Sequence, residues 1–128
     1  MVSSVQKGKA AEHVFIAKCL MRGMKCFAPI CEDGRVDLIV NNKKVQVKVI
    51  GGTYNGRMNT RKVKCNSKSN VKIYSYSETD VDFFAGVHLE TMRVAIVPIS
   101  IVMTYASSMS LQCLMTEAYL ERFDLIGV

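Results

Sequence analysis

Apolar positions along the chain fall into two periodicities, one helical and one alternating. Over about residues 4–22, Ala10, Ala11, Val14, Phe15, Ala17, Cys19, Leu20 and Met21 form a broad stripe that predicts a helix. Ser3 or Ser4 suits its start and Gly23 its end. Residues 24–30 read as a first strand, at a sheet edge or ending at Pro29. Residues 31–34 read as a turn, with Glu32 and Asp33 as turn residues. Residues 34–50 read as two short apolar strands joined at Asn41-Asn42. Further on, 83–88 reads as a buried strand, 89–92 as a turn, and 93–99 as a last strand closed by Pro98. From Ser110, a fair N-cap, Leu111, Leu114, Met115, Ala118 and Arg122 recur at helical spacing and predict a second amphipathic helix over about 110–123. The order is therefore α-β-β-β followed by β-β-α.

The hairpin over 34–50 is where this pattern turns toward chemistry. Three polar side chains, Asp37, Gln46 and Lys48, interrupt hydrophobic runs, and burying such groups without partners costs several kcal/mol. Alternation puts Val36, Leu38 and Val40 on one face and Asp37 and Ile39 on the other. It likewise separates Val45, Val47 and Val49 from Gln46 and Lys48. A two-residue turn at Asn42-Lys43 sets Asp37 opposite Lys48 and Ile39 opposite Gln46, which gathers all three polar groups on a single face. A slip of one residue would destroy both patterns.

Length and composition fit one α/β or α+β domain with a real core. The five cysteines, at 19, 26, 31, 65 and 113, are odd in number and show no Cys-x-x-Cys spacing, so neither a disulfide framework nor a zinc site is indicated. Cys19 and Cys113 read as small core residues. No leader or membrane span is evident, and a reduced cytoplasm is the simplest setting. The net charge of +6 favours a polyanionic partner. Its distribution says more: between Asn41 and Ser77 the chain carries Lys43, Lys44, Lys48, Arg57, Arg61, Lys62, Lys64, Lys68 and Lys72 with no Asp or Glu. An acid-free run of that length beside a polar constellation suits a phosphate-binding surface. Tyr54, Tyr74 and Tyr76 interleave with these cations. Apolar residues over 99–105 carry more hydrophobic surface than a small domain easily hides, which suggests self-association.

With Gly8 to Glu12 in the first helix, Gly34-Arg-Val-Asp37 at the entry of one strand, and Gln46-Val-Lys48 on its partner, the chain resembles the PD-(D/E)XK nuclease superfamily. The addition of Asp80-Val-Asp-Phe-Phe-Ala85 and Val94-Ala-Ile-Val-Pro98 makes it most similar to the small intron-encoded or freestanding homing endonucleases of that superfamily. The similarity runs from about Gly8 to Pro98. It implies a restriction-endonuclease-like core, a mixed central sheet flanked by helices, in a single nuclease domain over 1–128 with a basic DNA-binding segment at about 51–77. Two positions depart from the superfamily pattern: Gln46 stands where Asp or Glu is usual, and Val36 where Pro is frequent. The homing branch tolerates Gln at the first of these.

The resemblance implies Glu12, Asp37, Gln46 and Lys48 as catalytic residues. Glu12, Asp37, Gln46 and the Val47 carbonyl would bind Mg²⁺ (or Mn²⁺), while Lys48 would orient the attacking water and offset phosphate charge. Periodicity alone leaves Glu12 open to a second reading, as an ordinary surface carboxylate. Phosphate contacts are expected from Lys43, Lys44, Arg57, Arg61, Lys62, Lys64, Lys68 and Lys72. The implied activity is sequence-specific double-strand DNA cleavage by a homodimer or homotetramer in the cytoplasm of a bacterial or phage-infected host cell. The alternatives are a structure-selective nuclease resembling Holliday-junction resolvases, against which Gln46 counts, and a non-catalytic DNA-binding protein that keeps the fold.

Overall fold

The computed structural model describes residues 2–30, 36–51, 56–66 and 70–127, with backbone alone for 61–66 and 70–75. The expected turn at 31–34, Tyr54 and Lys68 lie outside the described residues. Helix α1 spans Ser4–Met21. Its start is fixed by a capping box in which the Gln6 N–H donates to Ser3 Oγ and the Ser3 N–H donates to Gln6 Oε1. Past its end Gly23 takes φ +74°, a left-handed conformation that glycine adopts without strain. The stripe is narrower than its sequence suggests. Ala11, Phe15 and Cys19 are buried, but Leu20 and Met21 face out, Met21 at 87% exposure.

A five-stranded sheet forms the centre, ordered β1-β2-β3-β7-β8, with β1 at Cys26–Phe27, β2 at Leu38–Val40, β3 at Lys43–Val49, β7 at Phe83–His88 and β8 at Arg93–Pro98. β3 pairs antiparallel with β2 and parallel with β7, so the sheet is mixed as expected. The predicted first strand is reduced to two residues at the edge. β7 and β8 follow the sequence reading closely.

The hairpin turn falls at Asn41-Asn42, with φ 47° and 68°, and pairs Val40 with Lys43 and Leu38 with Val45. The expected pairing of Asp37 with Lys48 and Ile39 with Gln46 is therefore off by two residues; Ile39 lies opposite Lys44. Two consecutive residues with positive φ make the turn whose twist matches the strands, and asparagine tolerates that conformation best after glycine. An offset of two keeps each strand's faces, so Val45 and Val47 still point away from Gln46.

One core cluster lies between α1 and the sheet and includes Phe15, Leu38, Val40, Val45, Val47, Ala85 and Val87. The second lies on the opposite face and includes Ile50, Met58, Tyr76, Phe84, Val97, Val102 and Leu114. Covering that face are β4 at Arg57–Asn59 paired with β9 at Ser108–Ser110, helix α2 at Ile99–Val102, and helix α3 at Leu111–Leu114. Ile99 and Val102 are buried there, which removes most of the apolar surplus expected over 99–105; Met103 is exposed.

The long second helix expected over 110–123 does not form. Ser110 does cap α3, accepting from the Cys113 N–H, but the helix ends at Leu114. The chain beyond it runs beside β8 instead: the Ile96 N–H donates to the Tyr119 carbonyl and the Glu121 N–H to the Val94 carbonyl. Sheet pairing thus captures residues whose spacing alone reads as helical. A closing 3-10 turn at Phe123–Ile126 then stacks Phe123 on Phe15, with ring centroids 5.9 Å apart.

Between β4 and β7 the basic segment forms a separate two-stranded ribbon, β5 at Arg61–Asn66 and β6 at Asn70–Ser75. Its register sets Lys62 opposite Tyr74 and Lys64 opposite Lys72, alternating with the pairs Val63–Ile73 and Cys65–Val71.

Candidate active site

Asp37 stands at the entrance of β2, where the backbone bends out of step with its partner. Its N–H donates to the Val45 carbonyl, although Val45 is paired with the next residue, Leu38. Such a one-residue offset turns the strand. Its effect is that Val36 packs into the second core cluster while Leu38 packs into the first, against the expectation that they share a face. Asp37 is thereby aimed toward α1. Its Oδ2 accepts from the Val47 N–H at 2.9 Å.

Around this carboxylate lies an open recess of about 190 Å³ lined by Val5, Gly8, Lys9, Glu12, Asp37 and Val47. Glu12 reaches it because α1 packs Ala11 and Phe15 onto the sheet, leaving the next residue at the rim of the contact. Its carboxylate pairs with Lys9 at 3.3 Å. Burial pushes the Asp37 carboxyl above the usual carboxylate range; the Val47 N–H opposes this, Glu12 adds to it, and Lys48 and Lys9 oppose it. Two carboxylates and two lysines therefore act on one another at this spot.

Gln46 and Lys48 occupy the other face of β3. Gln46 is 7% exposed, opposite Phe84 of β7, and its Oε1 is buried with no hydrogen-bond partner among the described residues. The Lys48 ammonium lies over the Tyr76 ring, 5.4 Å from its centroid. The single polar face expected from strict alternation is thus split: Asp37 joins Glu12 on the helix side, while Gln46 and Lys48 sit behind it, with Lys48 still acting on Asp37. The bend at Asp37 is the cause, and alternation gives no sign of it.

The two carboxylates at the recess are groups of the kind that hold a hard divalent cation, and Gln46, on the other face of β3, does not line it. Mg²⁺ is held by one or two carboxylates and otherwise keeps water or takes phosphate oxygens. The orphaned Gln46 Oε1 is a neutral oxygen with unused acceptor capacity. Among the described residues no group of three or more His, Cys, Asp and Glu side chains could hold a metal.

Other candidates have structural partners. Asp82 accepts from the Lys44 N–H, and Asp80 accepts from the Ser77 N–H in the turn before β7. The Lys44 ammonium donates to the Thr79 carbonyl and the Arg57 Nε to Ser108 Oγ. Lys43 is exposed beside the hairpin turn. Arg61, Lys62, Lys64 and Lys72 belong to the ribbon, whose return strand ends one residue before Tyr76 and hence beside Lys48. Gly8 and Lys9, both on the rim of the recess, were not singled out by the sequence as site residues; Gly8, a glycine inside a helical run, is the one that carried a signal.

The model of the PD-(D/E)XK endonuclease family matches residues 2–124. The chain belongs to that family. This PD-(D/E)XK protein is similar in fold to the solved structure of a bacterial homing endonuclease, I-Ssp6803I, with a TM-score of 0.84 at 23% identity, covering 98% of this chain and 93% of that one. No curated protein matches it. Nucleases of the family act on DNA and generally use divalent metals. No helix among the described residues is long and apolar enough to cross a membrane.

Proposed function

We propose that this PD-(D/E)XK protein is a Mg²⁺-dependent, sequence-specific double-strand DNA endonuclease of the homing type, for which Mn²⁺ would also serve. The observation that carries this reading is the Glu12–Asp37 pair around one recess, with the Asp37 carboxyl raised by burial and by Glu12. A bound cation is favoured there, since it offsets the charge that burial and Glu12 disfavour on Asp37. Mg²⁺ bound there supplies Lewis-acid stabilisation of phosphate charge and acidifies a water molecule.

Within this reading Asp37 and Glu12 are the anionic ligands and the Val47 carbonyl a neutral one, while Gln46 Oε1, on the other face of β3, joins them only if its side chain changes position. Lys48 orients the attacking water and offsets charge on the scissile phosphate. Replacement of a carboxylate by Gln46 lowers the site's charge and weakens its hold on the metal. The ribbon is of a kind that the major groove of B-DNA admits, and its lysines fall at paired positions. Phosphate contacts are assigned to Lys43, Lys44, Arg57, Arg61, Lys62, Lys64, Lys68 and Lys72, with arginines reading guanine edges. Cutting both strands calls for two sites, hence a homodimer or homotetramer.

The test is incubation with Mg²⁺ and a library of linear and branched duplexes. Discrete cuts in linear DNA support the reading; cuts confined to branches assign a resolvase-like activity instead, and intact DNA refutes cleavage. Asp37→Ala and Lys48→Ala should abolish cutting with DNA binding largely kept.

A further inference from the structure

Gly8 is a glycine that the fold itself does not call for. It lies inside α1, five residues from its start, with no positive φ. A Cβ built on it meets nothing within 4 Å. Glycine inside a helix is less favourable than alanine because its backbone loses more freedom on folding. Neither backbone conformation nor internal packing compensates for that here. By contrast, a Cβ on Gly86 in β7 would come within 2.8 Å of Met58 Sδ, so packing accounts for that glycine.

Its neighbours point to what approaches from outside. Gly8 is one helical turn before Glu12, on the same side of α1. With Val5, Lys9, Glu12, Asp37 and Val47 it lines the recess that holds the carboxylate pair. Lys9, with its side chain 70% exposed, stands beside it. Val5, the gap at Gly8 and the Lys9 ammonium, side by side on this rim, suit a deoxyribose followed by its phosphate. A second protein helix fits less well, since it would cover Glu12 and Asp37 and desolvate both.

We propose that Gly8 is a positioning residue, the point at which the sugar–phosphate backbone of the cleaved strand packs directly on α1, with Lys9 contacting the adjacent phosphate. The missing side chain sets how deeply the strand enters the recess, and so the reach of the scissile phosphate to the carboxylates. This rests on the nuclease reading above.

The experiment compares Gly8→Ala, Gly8→Leu and wild type for thermal stability, plasmid cleavage in Mg²⁺, and binding of a random-sequence duplex measured in the Asp37→Ala background. Gly8→Ala should raise Tm by about 3 °C and lower kcat about tenfold, and Gly8→Leu should lower it at least about a hundredfold, since a displacement near 1 Å has effects of that order. In the Asp37→Ala background both substitutions should weaken duplex binding, leucine more than alanine. A gain in stability with a loss of function separates this role from a structural one, which would move both the same way. Cleavage and binding unchanged in both variants, with wild type active, would overturn the proposal and leave the nuclease reading intact. A change of oligomeric state in Gly8→Leu, seen by light scattering, would assign the gap to a second copy of the chain and overturn it also. Wild type that neither cleaves nor binds any DNA would end both.

Discussion

Replacing Glu121 with alanine should be among the most damaging single changes outside the core, although the residue lies far from Asp37 in sequence. Glu121 Oε2 accepts from the Val94 N–H at 2.9 Å, and Val94 is fully buried in β8. Its other oxygen, Oε1, takes the Lys18 ammonium at 2.5 Å and lies 3.8 Å from the Arg22 guanidinium, which ties the last turn of α1 to the C-terminal segment. Leaving the Val94 N–H unsatisfied costs about 1–3 kcal/mol. The partly exposed ion pair adds up to about 1 kcal/mol. Together these give a loss of about 1–4 kcal/mol, or a Tm lower by about 3–12 °C for a chain of this size. The backbone supplies an internal control, because Glu121 has φ 53°. Glu121→Gly loses the same contacts but relieves about 1 kcal/mol of left-handed strain, so it should melt above Glu121→Ala. Glu121→Gln keeps an oxygen for Val94 and should lose only about 1 kcal/mol. Urea denaturation at low and moderate salt measures all three. If the alanine variant lies within about 0.5 kcal/mol of wild type, or the glycine variant is the least stable, the brace described here is not what holds the C-terminal segment.

Three further outcomes follow from the same structure. In metal-free buffer Asp37→Asn should be more stable than wild type at neutral pH: the raised folded pKa gives wild type a contribution that is fully present below the unfolded value of about 3.9 and is lost as pH rises through the folded one. Melting curves across pH should therefore converge in acid and separate toward neutrality, and a variant less stable than wild type at pH 7 contradicts the assigned environment. Gly86→Ala should destabilise by about 1–2 kcal/mol through its contact with Met58 and the 3.3 Å approach to Ile50, and by less in a Met58→Ala background, which a double-mutant cycle would read. Replacing Lys62 and Lys64 with alanine should reduce the slope of log affinity against log salt for duplex DNA by about one per lysine; an unaltered slope would remove the ribbon from the DNA interface.

What could be read from the chain follows where local and tertiary preferences agree. Ser3, Gln6 and Gly23 mark the limits of α1 because capping is a property of a few adjacent residues. β7 and β8 are legible because both faces are covered and their apolar runs are almost continuous. Turn chemistry favours Asn41-Asn42, the two residues that tolerate positive φ, over Asn42-Lys43, and that turn gives the observed register. The C-terminal segment was not legible: Leu111 and Leu114 keep helical spacing, yet the length of the helix is decided by pairing of Tyr119 and Glu121 with β8, a long-range event. The site divides in the same way. Asp37 and Lys48 stand out as polar residues in apolar strands, and Glu12 required the packing of α1 to join them. The bend that takes Asp37 to the helix side has no periodic signature, so alternation assigns Gln46 and Asp37 to one face and the structure puts them on two.

The position of β3 between β2 and β7 bears on how the candidate site moves with time. This strand pairs antiparallel with β2 over Lys43–Val45 and parallel with β7 over Val45–Val49, whereas β1 pairs along one side through two residues. At Val45 the two ladders meet, over the core that Val45 and Val47 help to form, whereas Val47 pairs only with β7 and donates its N–H to Asp37 Oδ2. The Val45 amide proton should then exchange with solvent only in the rare molecules that unfold altogether, while those at the β1 edge exchange through small local openings. The Val47 amide, held by the Asp37 carboxylate and not by β2, is freed whenever that one hydrogen bond opens, so its exchange reads how long the carboxylate keeps its orientation.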